Sequence, residues 1–259
     1  MTIKFPSKPD IPLKNAPLVE VVCQVRFPPI LRINTEEPSE FQEEIRDRFP
    51  KIEIEQGILL RLPVPGSGGV PSAEAQGKMT YRFRTKDEGV TVSLASDFFA
   101  LSTTQYKHWR DFSKYLRLVD KAVQHVYRPS FATRIGLRFI NRITPHNTGL
   151  QDLTDIMDLL NPDLIGFVRS DVWSTPVEME TRLLLSDEDA RLNLRIGYGK
   201  DKENTPFLLL DFDCFEAREL PLSNLIERCD GYHDVIYRSF RWCIPDEKLN
   251  VFGPVVEDT

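Results

Sequence analysis

Residues 131–143 read FATRIGLRFINRI, and this stretch decides the fold class of the protein. Mostly apolar side chains occupy every second position, while Arg134, Arg138 and Arg142 fall in the opposite phase. Successive side chains of a β-strand point to opposite faces, so the pattern predicts a strand with one face in a hydrophobic core. The three arginines would share the other, polar face.

A second strand of the same kind lies upstream, where residues 17–27 read PLVEVVCQVRF. Its apolar positions also alternate, and Glu20, Gln24 and Arg26 take the polar phase. Both strands therefore have one apolar and one polar face. The polar face carries Arg26 near the end of the upstream strand and Arg138 at the centre of the downstream strand.

A constant offset of 112 residues (138 − 26) relates the first elements of the two halves without a gap. It places Val25-Arg26-Phe27 on Leu137-Arg138-Phe139, Phe41 on Leu153, Ile45 on Met157, Pro50 on Pro162 and Ile52 on Leu164. Agreement in element order, spacing and phase predicts an internal duplication. The predicted repeat units are residues 1–129 and 130–259, packed together into one globular body.

The remaining periodicities fill in each unit. In the first half they predict a short helix over residues 38–49 with Ser39 as N-cap, strands near 52–62, 79–84, 90–94 and 98–101, a hairpin turn at 86–89, a flexible glycine-rich loop over 63–78, and a long helix over 103–127. In the second half they predict a helix over residues 151–160, a strand near 164–168, strands over 177–185, 191–198 and 207–215, and a helical region over 222–244 that Gly231 interrupts.

This order predicts an α+β fold made of a β-α-β4-α unit repeated twice. It resembles the TATA-binding-protein-like topology, in which curved antiparallel sheets carry long helices packed on one face. Each half leaves apolar surface that its twin covers. The other sheet face would then be open to a ligand.

The chain also resembles an uncharacterised, sporadically distributed family of bacterial proteins over essentially its whole length. The stretches that carry the resemblance are Ala16-Pro17-Leu18-Val19-Glu20-Val21-Val22, Thr133-Arg134-Ile135-Gly136-Leu137-Arg138-Phe139-Ile140-Asn141-Arg142, and His233-Asp234-Val235-Ile236 through Phe240. The resemblance implies no assigned reaction or site residues. A scattered distribution favours mobile elements, such as defence or toxin–antitoxin neighbourhoods.

Composition narrows the class of protein. A chain of 259 residues with 41% hydrophobic residues can build its core without a metal or a disulfide. The four cysteines are widely spaced and are expected to be buried thiols. The N-terminus lacks an apolar signal core and the longest apolar runs are too short to span a bilayer, so we expect a cytoplasmic protein without membrane contact. The net charge of −6 does not favour nucleic acid as the partner.

Charged residues in the polar phase of the strands form the candidate ligand-binding site. Its residues are Arg26, Arg134, Arg138, Arg142, Arg195, Asp211 and Asp213. If their strands are neighbours, arginines and carboxylates form a lattice that suits an anionic or peptide ligand, because a guanidinium binds carboxylates and phosphates in a fork geometry. The alternative is a solvated sheet face with ordinary cross-strand ion pairs.

Motifs for catalysis are missing from the sequence. There is no G-x-S-x-G elbow for a nucleophilic serine, the glycines at residues 66–69 are not followed by Gly-Lys-Ser/Thr, and the four histidines lie too far apart in sequence for a ligand pair. His233 is expected to pack rather than to transfer protons. We therefore expect no metal, no cofactor and no catalytic residue.

These observations favour a non-enzymatic binding protein that holds a protein partner or a small anionic ligand. Nucleic-acid binding by a curved sheet face is the first alternative. An enzyme of unfamiliar type, using Asp211 and Asp213 with Arg195, is the second.

Overall fold

The computed structural model describes residues 4–9, 11–56, 59–61, 72–74, 79–166, 172, 176–187 and 189–255. Most of the predicted glycine-rich loop over residues 63–78 lies outside the described residues. The strands of the described part are β1 (Leu18–Arg26), β2 (Lys51–Gln56), β3 (Leu59–Arg61), β4 (Ser72–Glu74), β5 (Met79–Arg84), β6 (Val90–Ala95), β7 (Phe98–Thr103), β8 (Arg134–Ile143), β9 (Met179–Asp187), β10 (Ala190–Lys200) and β11 (Pro206–Glu216).

The α-helices of the described part are α1 (Arg32–Thr35), α2 (Ser39–Ile45), α3 (Trp109–Val126), α4 (Pro145–Thr148), α5 (Leu153–Met157), α6 (Pro162–Ile165) and α7 (Leu225–Cys243). Two 3₁₀ helices cover Leu222–Asn224 and Asp246–Phe252. The mixed α+β class predicted from the periodicities is confirmed. Among the described residues, no helix combines the length and the apolar character needed to cross a membrane.

Nine of the strands form one sheet with the order β2-β5-β6-β7-β1-β8-β11-β10-β9, and β3 pairs with β4. The hairpin neighbours β5-β6, β6-β7, β9-β10 and β10-β11 are antiparallel, as is the pair β2-β5. The predicted hairpin at residues 86–89 is confirmed, because β5 ends at Arg84 and β6 begins at Val90.

The chain divides into two compact units that differ from the two halves of the sequence. The first unit contains residues 22–135 and 217–226, and the second contains residues 1–21, 136–216 and 227–259. In the first unit, the amphipathic helix α3 buries Phe112, Leu116, Val119 and Val123 and packs against α2 and β7.

The second unit separates an apolar sheet face from a polar one. Leu192, Leu194 and Ile196 of β10 are at most 1% exposed, and so are the equivalent side chains of β11. Helix α5 packs against β10 and β11, and His233 of α7 lies 5.8 Å from the Phe139 ring of β8. These helices cover the apolar face, so the alternate positions of the same strands form a polar face.

Several predicted boundaries are wrong. The long helix begins at Trp109 rather than at residue 103, because Thr103 pairs with Val90 in the sheet and its hydroxyl donates to the carbonyl oxygen of Gly89 at 2.7 Å. Ser39 lies inside the first turn of α2, whose N-cap is Pro38. Gly231 does not interrupt α7, which is continuous.

The second half differs most from its predicted elements. The strand expected near residues 164–168 is replaced by α6 in its described part, because Pro162 starts a helix and Asn161 Oδ1 accepts the N–H of Asp163 at 3.0 Å. The helix expected over residues 151–160 is shortened to α5. Helix α4, with its Thr144–Asn147 capping box, was not expected.

An N-terminal segment of the second unit is attached to α7 and to the C-terminal 3₁₀ helix. Arg241, only 4% exposed, donates to the carbonyl oxygen of Pro9 at 2.9 Å and to Asp246 at 2.7 Å. Lys8 also binds Asp246, and the N–H of Ile11 donates to the Tyr237 hydroxyl at 3.0 Å. We call Lys8, Pro9 and Ile11 with these contacts the N-terminal strap.

Candidate functional site

A row of charged side chains crosses the polar face of the second unit. The backbone register places Asp211 of β11 opposite Arg195 of β10, and Arg195 opposite Arg182 of β9. Directly opposed residues of antiparallel strands have Cβ atoms about 4.5–5.5 Å apart, so these side chains interact. We call Arg138, Arg182, Arg195 and Asp211 the arginine row.

Asp211 fixes one end of this row. It is 2% exposed, and its two carboxylate oxygens accept hydrogen bonds from Nε and Nη2 of Arg138, both at 2.7 Å. Arg195 Nη1 lies 3.6 Å from the same carboxylate. The hydrogen bonds to Asp211 raise the pKa of the Arg138 guanidinium, which is cationic at any physiological pH. The buried carboxylate thus orients two cations.

The other end of the row is more exposed. Arg195 Nη2 binds Glu180 at 2.9 Å, and the Glu180 side chain is 68% exposed. Nε of Arg182 donates to the Asn193 amide oxygen at 2.7 Å. This hydrogen bond joins Arg182 of β9 to Asn193 of the neighbouring strand β10.

These residues line an open recess of about 420 Å³ on the sheet face. The lining consists of Arg138, Glu180, Arg182, Asn193, Arg195, Asp211 and Asp213. Three arginines face three carboxylates, so the recess is close to neutral as a whole. Within it, Arg195 lies between the carboxylates of Glu180 and Asp211, and Arg182 contacts the neutral Asn193.

A second recess, of about 410 Å³, adjoins the first and shares Glu180 and Arg195 with it. Its other lining residues include Met179, Gly197, Phe207 and Leu209. The guanidinium carbon of Arg142 lies 5.1 Å from the centre of the Phe207 ring, and Arg142 Nη2 binds Asp201 at 2.6 Å. Arg142 thus supports an aromatic wall beside the arginine row.

The structure brings together four of the seven residues singled out in the sequence. Arg138, Arg195, Asp211 and Asp213 line the first recess, and Arg142 supports a wall of the second. Arg26 and Arg134 belong to the first unit, and Arg26 binds Gln24 of its own strand at 3.2 Å.

Sequence reasoning missed Glu180, Arg182, Gly197 and Phe207 as site residues. Glu180 and Arg182 are separated by two positions in β9, and this alternation could have identified them. No sequence signal gives the partner of either residue, because pairing of β9 with β10 decides it.

A second polar cluster of the second unit is structural in character. Glu216, 5% exposed, accepts hydrogen bonds from Arg228 at 2.6 Å and from the Tyr232 hydroxyl at 2.9 Å. Burial, followed by the hydrogen bond to Glu216, raises the pKa of Tyr232. The cluster joins β11 to α7 and lies on the apolar face. Among the described residues, no group of histidine, cysteine or carboxylate side chains has an arrangement that could hold a metal ion.

No protein-family model matches the chain, and no curated protein matches it. The geometry of the arginine row is therefore the basis for a functional argument.

Proposed function

We propose that the protein is a non-enzymatic binding protein that holds a small anionic group, a carboxylate or a phosphate, at Arg182 and Arg195. One observation carries the proposal: these two arginines are directly opposed across neighbouring strands. Like charges in this position are destabilising. An anion between them would replace repulsion with two charge-assisted hydrogen bonds.

The contacts around the pair support an exchangeable site. Glu180 satisfies part of Arg195, but exposed ion pairs of this kind contribute only about 0–1 kcal/mol. A ligand carboxylate can displace Glu180 at little cost. Asp211, in contrast, is buried and holds Arg138 and Arg195 in place, which reduces the entropy lost on binding.

The balance of charge argues against the nucleic-acid alternative. Three carboxylates accompany three arginines in the recess, so the lining of the recess is not a positive strip for a phosphate backbone. A catalytic role for Asp211 is disfavoured because Arg138 already occupies both of its carboxylate oxygens. A small ligand, or one acidic side chain of a protein partner, fits the site better.

We also propose that the two halves are duplicated copies, as the sequence offset predicts. Strand connectivity supports this: β1 neighbours β7 and β8 neighbours β11, so the first strand of each half lies beside the last one. The other strands of the large sheet then follow outward in reverse chain order, and a long helix follows the last strand. We further propose that the chain belongs to the sporadically distributed bacterial family that it resembles, and that it is a cytoplasmic protein.

A binding measurement at constant ionic strength tests the proposed site. Sodium phosphate or sodium acetate replaces sodium chloride, and thermal unfolding is followed for the wild type and for Arg182→Gln and Arg195→Gln. A ligand at ten times its Kd stabilises the native state by about 1.4 kcal/mol. We expect saturable stabilisation in the wild type and its loss in both variants.

Arg117→Gln is the matched control, because Arg117 is an exposed arginine on α3 in the first unit. It should respond to the anions as the wild type does. Stabilisation that is absent from the wild type, or equal in all four proteins, would contradict the proposed site.

A further inference from the structure

The recess beside the arginine row has an apolar character that an anion alone does not use. Met179, Phe207 and Leu209 line it and are only half-buried. Phe207 and Leu209 are in the same phase of β11 as Asp211 and therefore lie on the polar face, whereas Met179 is in the opposite phase from Glu180. The shared residue Arg195 joins this apolar recess to the anion site.

Gly197 lines this recess with its backbone, because glycine has no side chain. Gly197 lies opposite Leu209 on one side and Glu180 on the other. A Cβ built there would have ordinary contacts, 3.7 Å to the carbonyl oxygen of Met179 and 3.8 Å to the Leu209 Cβ. Packing therefore does not require glycine, and an interior strand glycine often marks a place where a ligand approaches the backbone.

Gly199 provides the contrast. A Cβ at that position would also have ordinary contacts, 3.4 Å to the Glu178 Cβ and 4.0 Å to the Phe207 ring, but Gly199 is buried. Gly197, in contrast, is half-buried, so its backbone is partly accessible. We call the space over the Gly197 backbone in this recess the notch.

The walls of the notch suit a flat apolar group. The Phe207 ring forms one wall and is supported from outside by the Arg142 guanidinium, 5.1 Å from the ring centre. Asp201 anchors that guanidinium at 2.6 Å, and backbone N–H groups, chiefly that of Thr205, lower the pKa of Asp201. The aromatic wall is thus positioned before a ligand arrives.

We propose that the ligand class is an aromatic acid, with its anionic group at Arg182 and Arg195 and its ring over Gly197 beside Phe207. This inference rests on the proposed anion site and adds the ring to it. The charge of the two opposed arginines selects the acid group, and the notch selects the ring.

Isothermal titration with three probes tests this ligand class: 2-naphthoate, acetate and the neutral 2-naphthalenemethanol. We expect the wild type to bind 2-naphthoate at least tenfold more tightly than either of the others. Gly197→Leu fills the notch and should lower the affinity for 2-naphthoate at least tenfold while leaving acetate binding unchanged. Gly231→Leu is the control, because that position on α7 faces open space.

Gly197→Ala and Phe207→Ala replace Gly197→Leu as test variants if the leucine variant does not fold. Both make the site less favourable for an aromatic ring, and both change the packing less than leucine does. Each should weaken 2-naphthoate binding and leave acetate binding intact. Equal binding of acetate and 2-naphthoate by the wild type would overturn the aromatic class and leave the anion site standing. Equal binding of 2-naphthalenemethanol would overturn the link between ring and charge. If none of the anions binds, the proposed function itself fails.

Discussion

The ion pair of Asp211 and Arg138 offers a prediction in which the two partners should not be equivalent. Asp211 is 2% exposed, whereas the Arg138 side chain is 40% exposed. Removing Arg138 therefore leaves a buried carboxylate, while removing the carboxylate leaves a cation that water can reach. The loss of one partner costs most when the remaining charge is buried.

Arg138→Met keeps the aliphatic stem and removes both hydrogen bonds to Asp211. Breaking a buried pair costs about 3–5 kcal/mol, and Arg195 at 3.6 Å compensates part of the loss, so we expect a decrease of about 3 kcal/mol in the free energy of unfolding. Asp211→Asn retains one acceptor oxygen and loses one bond to a charged group, which contributes about 1.5–3 kcal/mol. We expect a loss of about 2 kcal/mol for this variant.

Urea unfolding, followed by circular dichroism, measures both values and that of the double variant. A real pair predicts a coupling energy of about 1–2 kcal/mol, so the double variant should lose less than the sum of the single losses. The dependence on urea should keep its slope, since neither change alters the surface exposed on unfolding. Coupling below about 0.5 kcal/mol, or a larger loss for Asp211→Asn than for Arg138→Met, would refute the assignment of Asp211 as the buried anchor of the row.

Two further predictions concern other parts of the protein. The hydrogen bond from Lys8, followed by that from Arg241, lowers the pKa of Asp246 from its ordinary value of 3.8. A lowered carboxyl pKa stabilises the folded state above the unfolded pKa, and this stabilisation is lost as the pH falls through the lowered value. The N-terminal strap should therefore loosen only below about pH 4, and amide hydrogen exchange at Ile11 measures this loosening. Asp246→Asn should loosen the strap at neutral pH. Equal exchange at Ile11 in the variant and the wild type would contradict the role of Asp246 in holding the strap. All four cysteines are buried free thiols, and burial raises the pKa of Cys243. Ellman's reagent should therefore react with no cysteine of the native protein and with all four cysteines in urea. A cysteine that reacts rapidly in the native protein would contradict this burial.

The boundaries of an element could be predicted from the sequence where interactions within that element decide them, and not where pairing with a distant strand decides them. Strands β8, β10 and β11 were predicted because alternation is a property of the strand itself. The start of α3 was not, because the apolar periodicity continues back to residue 103 while sheet pairing with Val90 holds Thr103 extended. The strand expected near residue 164 was wrong for a local reason, since Pro162 and the Asn161 cap favour a helical turn.

The candidate site divides in the same way. Alternation alone placed Arg138, Arg195 and Asp211 in the polar phase of their strands. It could not show that Arg195 lies opposite Arg182, that Asp211 is buried, or that Gly197 leaves a notch beside Phe207. A residue's face follows from the two-residue period of its own strand, whereas its neighbours follow from the register between strands that are distant in the chain. The sequence by itself therefore determined which side chains face away from the core, and only the tertiary structure decided which of them meet.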